Sequence, residues 1–355
     1  FLNLIFIQGF YHTVVDNIKN SKNTLIKNSS FFLLIFSILD NFGINGGRNG
    51  FIYIQGVTKQ DTAVGILFLL TMRAALVHIY DKKISNYEIS LIFLFSLYLI
   101  QIKLSSVSII FLLIYLTIYI YRYTDIKFLN FLKINFLGIF FGVIWLIKQY
   151  LTTGCFIYPV NTTCINNFSW YAKNSTESYE AITVNSSYSL PLFDYNFIKW
   201  ANNFISFKIN NTVLVNFLGS LILLIIIKKL FFKNNELNKN FNRLIATLII
   251  INILYLIYYG PTPRYLIGTI LFSVSYIGFK ASNFKFKLSN FLIYGISLIS
   301  VLLLVRFTSY TSLLNQESFQ LFDPRPIAKY ISQDNGWLLP DVGDQCWINI
   351  ECTMS

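Results

Sequence analysis

The sequence predicts an all-α integral membrane protein, and three observations carry that prediction. Only 12% of the 355 residues are charged while 55% are hydrophobic, and a soluble domain carries about twice that charge fraction. The apolar residues fall in long runs rather than in the half-buried stripe of a surface helix. Thirteen of the 28 Lys and Arg crowd into four short connections between those runs, at 82–83, 122–133, 228–243 and 280–287. Basic residues in such connections mark the cytoplasmic face, so the net charge of +12 is topogenic and gives no reason to expect a nucleic-acid partner.

About eight transmembrane helices are visible, at 63–80, 88–102, 105–121, 132–149, 212–227, 244–259, 266–279 and 290–305. Several are shorter than the roughly 20 residues that a perpendicular span needs. Placing the basic connections inside puts the turn near Lys103, the loop 150–211 and the turn 260–265 outside. The chain then divides into an external segment 1–62, a helical bundle 63–305 and an external tail 306–355. Within 1–62, the stretch Phe31–Leu39 is apolar but short, and is expected as a re-entrant or interfacial helix. The chain begins at Phe1 rather than Met, which suggests a fragment lacking its true start and an upstream helix.

The four cysteines agree with this topology. Cys155 with Cys164, and Cys346 with Cys352, are close pairs in predicted external segments, and disulfides persist in oxidising compartments. Four cysteines allow three connectivities. The two local pairs are expected, because Pro159 lets the first loop turn back on itself. No Cys and His spacing resembles a zinc site. The cofactor remains unknown, and no metal motif is encoded although a divalent metal stays open.

Several polar residues stand where chemistry could occur. Asp61 precedes the run that starts at Ala63, where a carboxylate can act as a general base or simply cap the helix. Lys103 occupies the tight turn Gln101-Ile102-Lys103-Leu104-Ser105-Ser106, where it either snorkels to headgroups or holds a phosphate. In Gly260-Pro261-Thr262-Pro263-Arg264-Tyr265 the two prolines fix a turn that presents Arg264 and Tyr265 at the next helix. A guanidinium there suits phosphate recognition, and the alternative is an interfacial Arg-Tyr anchor. Arg48, in Asn45-Gly46-Gly47-Arg48-Asn49-Gly50, is a weaker candidate for anion contact, since this glycine-rich stretch lacks a P-loop ending. Arg73, inside a run, should face the bundle interior and find a partner there.

The order of these features resembles bacterial membrane proteins of surface-polysaccharide gene clusters, themselves similar to GT-C-type glycosyltransferases. The matching stretches are Asp61 before a helix, Ile102-Lys103-Leu104-Ser105, Thr153-Gly154-Cys155-Phe156-Ile157-Tyr158-Pro159, Pro263-Arg264-Tyr265 and Gly343-Asp344-Gln345-Cys346-Trp347. The resemblance implies sugar transfer from a polyprenyl-phosphate-linked donor at the periplasmic face of the bacterial inner membrane, in surface polysaccharide or glycolipid synthesis. It also implies an acidic base in the first external loop, a role open to Asp61 or to Asp16. The partners implied are the lipid-linked sugar and the bilayer. Two other readings stand beside it: an O-antigen-type polysaccharide polymerase, and a lipid-linked sugar flippase or transporter.

Overall fold

Eleven α-helices make up most of what the computed structural model describes: residues 2–42, 61–81, 84–124, 126–158, 160–165, 177, 197–206, 208–235, 237, 239–259, 265, 267–284, 300, 330–332 and 338–340. They are α1 (Leu2–Asn20), α2 (Thr24–Phe42), α3 (Asp61–Asp81), α4 (Asn86–Ile102), α5 (Ile109–Tyr123), α6 (Phe128–Ile134), α7 (Phe136–Thr153), α8 (Phe197–Ser206), α9 (Lys208–Phe231), α10 (Lys239–Tyr259) and α11 (Ile267–Phe279). Local chemistry explains several boundaries. The Ser85 hydroxyl accepts from the Glu88 amide while the Glu88 carboxylate accepts from the Ser85 amide, a capping box that starts α4. Gly154, at φ 74°, closes α7 in the left-handed conformation that glycine adopts without strain.

The all-α class expected from the sequence holds. Among the described residues, three helices are long and apolar enough to cross a membrane: α3, α7 and the stretch Leu214–Phe231 of α9. Five shorter apolar helices accompany them, at Thr24–Leu39, Asn86–Ile102, Ile109–Tyr123, Phe241–Leu254 and Ile267–Phe279. The expected run at 290–305 lies outside the described residues apart from position 300.

Before residue 62, the stretch Phe31–Leu39 belongs to α2, an uninterrupted helix of 19 residues. Phe32, Leu33 and Phe36 of α2 are completely buried. The helix runs antiparallel to α3: Asn23 donates to Asp81 at 2.8 Å, and farther along α2 Ser30 accepts from Arg73 at 2.9 Å. Arg73 thus faces the interior and has a partner there, as its cost in a membrane demands.

Helix α11 packs against both α2 and α3. Lipid tails are as apolar as leucine, so close packing must do much of the work of holding such helices together. Glycines make that packing close. A Cβ on Gly65 would lie 2.9 Å from the Ile267 Cβ, and one on Gly278 would lie 2.8 Å from the Asn28 carbonyl oxygen. The Asn28 amide also donates to the Ala281 carbonyl at 2.7 Å.

These contacts define two ends of the bundle. At one, the end of α3 meets the start of α4 through His78 and Glu88 at 3.3 Å. The same end gathers the end of α5 at Tyr119–Thr124, the Tyr80–Phe241 ring pair, and the Tyr276 hydroxyl donating to Asn242 at 3.0 Å. There β1 (Phe232–Asn234) pairs antiparallel with β2 (Ala281–Phe284). The described helix ends that flank the basic connections therefore converge on this end. At the other end lie the starts of α3 and α11 and the turn between α4 and α5. Helix α7 runs parallel to α4, since Phe131 just before it meets Phe93 and Gly138 farther on lies against Leu94 and Leu97. Its C-terminus is thus carried to that second end, where a disulfide joins Cys155 to Cys164 across an antiparallel bridge.

The described chain divides into two compact units, Phe1–Tyr294 and Gly295–Ser355, with the boundary inside the last expected run. The bundle is the first unit. In the second, strands β3 (Tyr330–Ser332) and β4 (Leu338–Pro340) form an antiparallel pair with Ile331 opposite Leu339. Cys346 and Cys352, and with them the second expected disulfide, lie outside the described residues.

Candidate functional site

The second end of the bundle brings together three residues that the sequence singled out separately. Asp61 is the first residue of α3, so its carboxylate sits in the positive field of that helix terminus. Lys103 is extended backbone between α4 and a one-turn 3-10 helix, Leu104–Ser106. Its own amide caps α4 by donating to the Leu99 carbonyl at 3.1 Å. That leaves its side chain free to reach across to α3, where Nζ donates to the Asp61 carboxylate in an ion pair. The same ammonium stands 4.4 Å from the ring centroid of Tyr265, a cation–π arrangement.

The pair is buried asymmetrically. The Asp61 side chain is 1% exposed and that of Lys103 is 26% exposed. Behind Asp61 lies a cavity of about 10 Å³, lined by Val64, Gly65, Phe68, Ser106, Asn252, Tyr265, Gly268 and Thr269. That volume suits about one water molecule. The floor is polar. The Ser108 hydroxyl donates to the Asn252 side-chain carbonyl, and the Asn252 amide donates to the Leu248 carbonyl at 2.7 Å. Thr269 lies in the first turn of α11, so two helix N-termini open on one site, a setting that favours a bound anion.

Chemically, this arrangement offers one carboxylate, one cation within reach of water, an aromatic face and a set of hydroxyl and amide groups. It can accept a proton, hold an anionic group and hydrogen-bond a hydroxylated substrate. Sequence reasoning missed Asn252, Ser108 and Thr269. The signal for Asn252 was present: it is a lone amide in Ile249-Ile250-Ile251-Asn252-Ile253-Leu254, and an isolated polar residue in an apolar run has to find a buried partner.

Asp16 is not part of this cluster. It is exposed on α1 and accepts from the Asn20 amide at 2.6 Å. Just beyond Asn20, Asn23 contacts Asp81, one full helix length of α3 or roughly 30 Å from Asp61. Asp16 therefore belongs near the other end. Arg264 and Arg48 lie outside the described residues. Among the described residues, no three His, Cys, Asp or Glu side chains are grouped to hold a metal ion.

Fold and site together define a helical protein with membrane-length apolar segments and a polar cluster at one end of its bundle. The chain belongs to a family of domains of unknown function, DUF8201, which it matches over residues 16–271. That range contains every residue of the Asp61 cluster. No curated protein and no solved structure matches the chain.

Proposed function

We propose that this chain is a membrane glycosyltransferase of GT-C-like character, acting on a polyprenyl-phosphate-linked sugar at the outer face of a bacterial inner membrane. The observation that carries the reading is the convergence of Asp61, Lys103 and Tyr265 at one end of the bundle, opposite the basic connections. Basic residues favour the cytoplasmic side, so the cluster and the Cys155–Cys164 disulfide belong on the periplasmic side. In this topology α2 is a further crossing, and the long loop and the tail stay outside.

The reaction follows from the chemistry of the groups. Asp61 takes the proton of an acceptor hydroxyl as its oxygen forms the new bond to the anomeric carbon. The bond from that carbon to the phosphate oxygen breaks, and the electron pair leaves with the polyprenyl phosphate. Lys103, with Arg264 next to Tyr265 in sequence, neutralises the charge that develops on this leaving group.

The test is a transfer assay on the protein in native-like membranes with radiolabelled polyprenyl-phosphate sugars, with Arg264→Ala alongside. The expected product is a lipid or glycan extended by one sugar, and the Arg264→Ala protein makes less than about a hundredth of it. Long polymers would point to a polymerase instead. Lipid-linked sugar crossing the bilayer with no transfer would point to a flippase.

A further inference from the structure

The Asp61–Lys103 pair carries an inference that rests on the proposed site and adds its order of events. Three observations meet here. The carboxylate is almost completely buried while about a quarter of the Lys103 side chain is open to water. The cavity behind the pair, about 10 Å³, is far smaller than any sugar. Lys103 is held on extended backbone in a turn, outside both flanking helices, and rests on the Tyr265 ring.

We infer that the phosphate of the lipid-linked donor binds by exchange, taking Lys103 away from Asp61, so that Asp61 is an internal competitor for the substrate anion. An approaching phosphate can reach the part-exposed Lys103 side chain but not the buried carboxylate. A shift of Lys103 toward it moves one side chain in a turn and leaves α3 and α4 in place. The same shift vacates the Asp61 oxygen that Lys103 holds, giving an acceptor hydroxyl access to that oxygen. Asp61 then presents that oxygen to the acceptor's hydroxyl, so arrival of the donor prepares the base. Before the donor is bound, Asp61 is engaged with Lys103.

This order makes a prediction that runs against intuition, since removing a carboxylate from the site should strengthen binding while abolishing chemistry. The experiment measures binding of polyprenyl monophosphate to the full chain in phosphatidylcholine nanodiscs. Parallel arms carry phosphatidylglycerol at equal charge, or inorganic phosphate in solution. Asp61→Asn should bind the phosphate on the order of tenfold more tightly than the unmutated protein, because close charge pairs compete at about that strength. Lys103→Gln should lose the binding, and Lys103→Arg should keep it. Tightening in the polyprenyl arm alone assigns the anion to a lipid-linked donor. Tightening with inorganic phosphate assigns it to a soluble phosphate, and either result supports exchange. In the unmutated protein, adding the phosphate should shift a carboxylate infrared band that is missing from Asp61→Asn. Unchanged or weaker binding in folded Asp61→Asn, or no carboxylate shift, would overturn the exchange. Tightened binding without any sugar transfer would uphold the exchange and overturn the glycosyltransferase reading alone.

Discussion

Asp61 and Lys103 answer differently to substitution because one is buried and the other is not. Lys103→Ala removes the cation beside a carboxylate with 1% exposure, and removing one partner of a buried pair costs roughly 3 kcal/mol. Asp61→Asn leaves its partner on a side chain that is 26% exposed, so its cost is smaller, about 1 kcal/mol. Thermal unfolding of the two variants in detergent should separate them clearly, and equal losses would contradict the asymmetry. Arg73 gives a second case. Ser30→Ala removes the hydroxyl that accepts from its guanidinium, and an unsatisfied buried donor costs about 1–3 kcal/mol. Asp61, Lys103 and Tyr265 were each legible in the sequence, since a charged or Arg-Tyr element at the edge of an apolar run stands out. Their meeting was not, because Asp61 and Lys103 are 42 positions apart and nothing local encodes the crossing. Asn252 escaped because the apolar run around it reads as ordinary lipid-facing helix.

Helix α2 shows what element-level reading leaves out. Its apolar stretch is preceded by Lys27, Asn28, Ser29 and Ser30 and contains Ser37, which keeps the apolar run short. The structure shows why those residues are tolerated. Ser29 donates to the Ile26 carbonyl at 2.9 Å, Ser37 donates to that of Leu34 at 2.8 Å, and Asn28 bonds the chain after α11. Polar groups paired this way can lie inside a bundle, and hydropathy alone does not register the pairing. The glycines of α11 make the packing testable. Gly278→Ala would press a methyl group against the backbone of Ser29 and Asn28, costing about 1–3 kcal/mol. Gly9→Ala meets nothing within 4 Å and should be neutral or slightly stabilising, by about 0.4–1 kcal/mol. Unfolding temperatures in detergent would check both, and a harmless Gly278→Ala would refute the close contact between α2 and α11.

At the scale of the molecule, the charge pattern read from the sequence and the packing of the helices agree on one polarity. Basic connections lie at one end of the bundle, while the Asp61 cluster and the Cys155–Cys164 disulfide lie at the other. A membrane-impermeant maleimide on intact cells should label Cys155 and Cys164 only after an impermeant reductant is added from outside. Labelling that requires permeabilisation would reverse the orientation. The central claim is that chemistry occurs at Asp61, and the most direct test compares initial rates of sugar transfer by Asp61→Asn and Asp16→Asn in the same membranes. The account predicts transfer reduced at least about a hundredfold by Asp61→Asn and preserved in Asp16→Asn. Full activity in Asp61→Asn, or loss of transfer in Asp16→Asn alone, would contradict it.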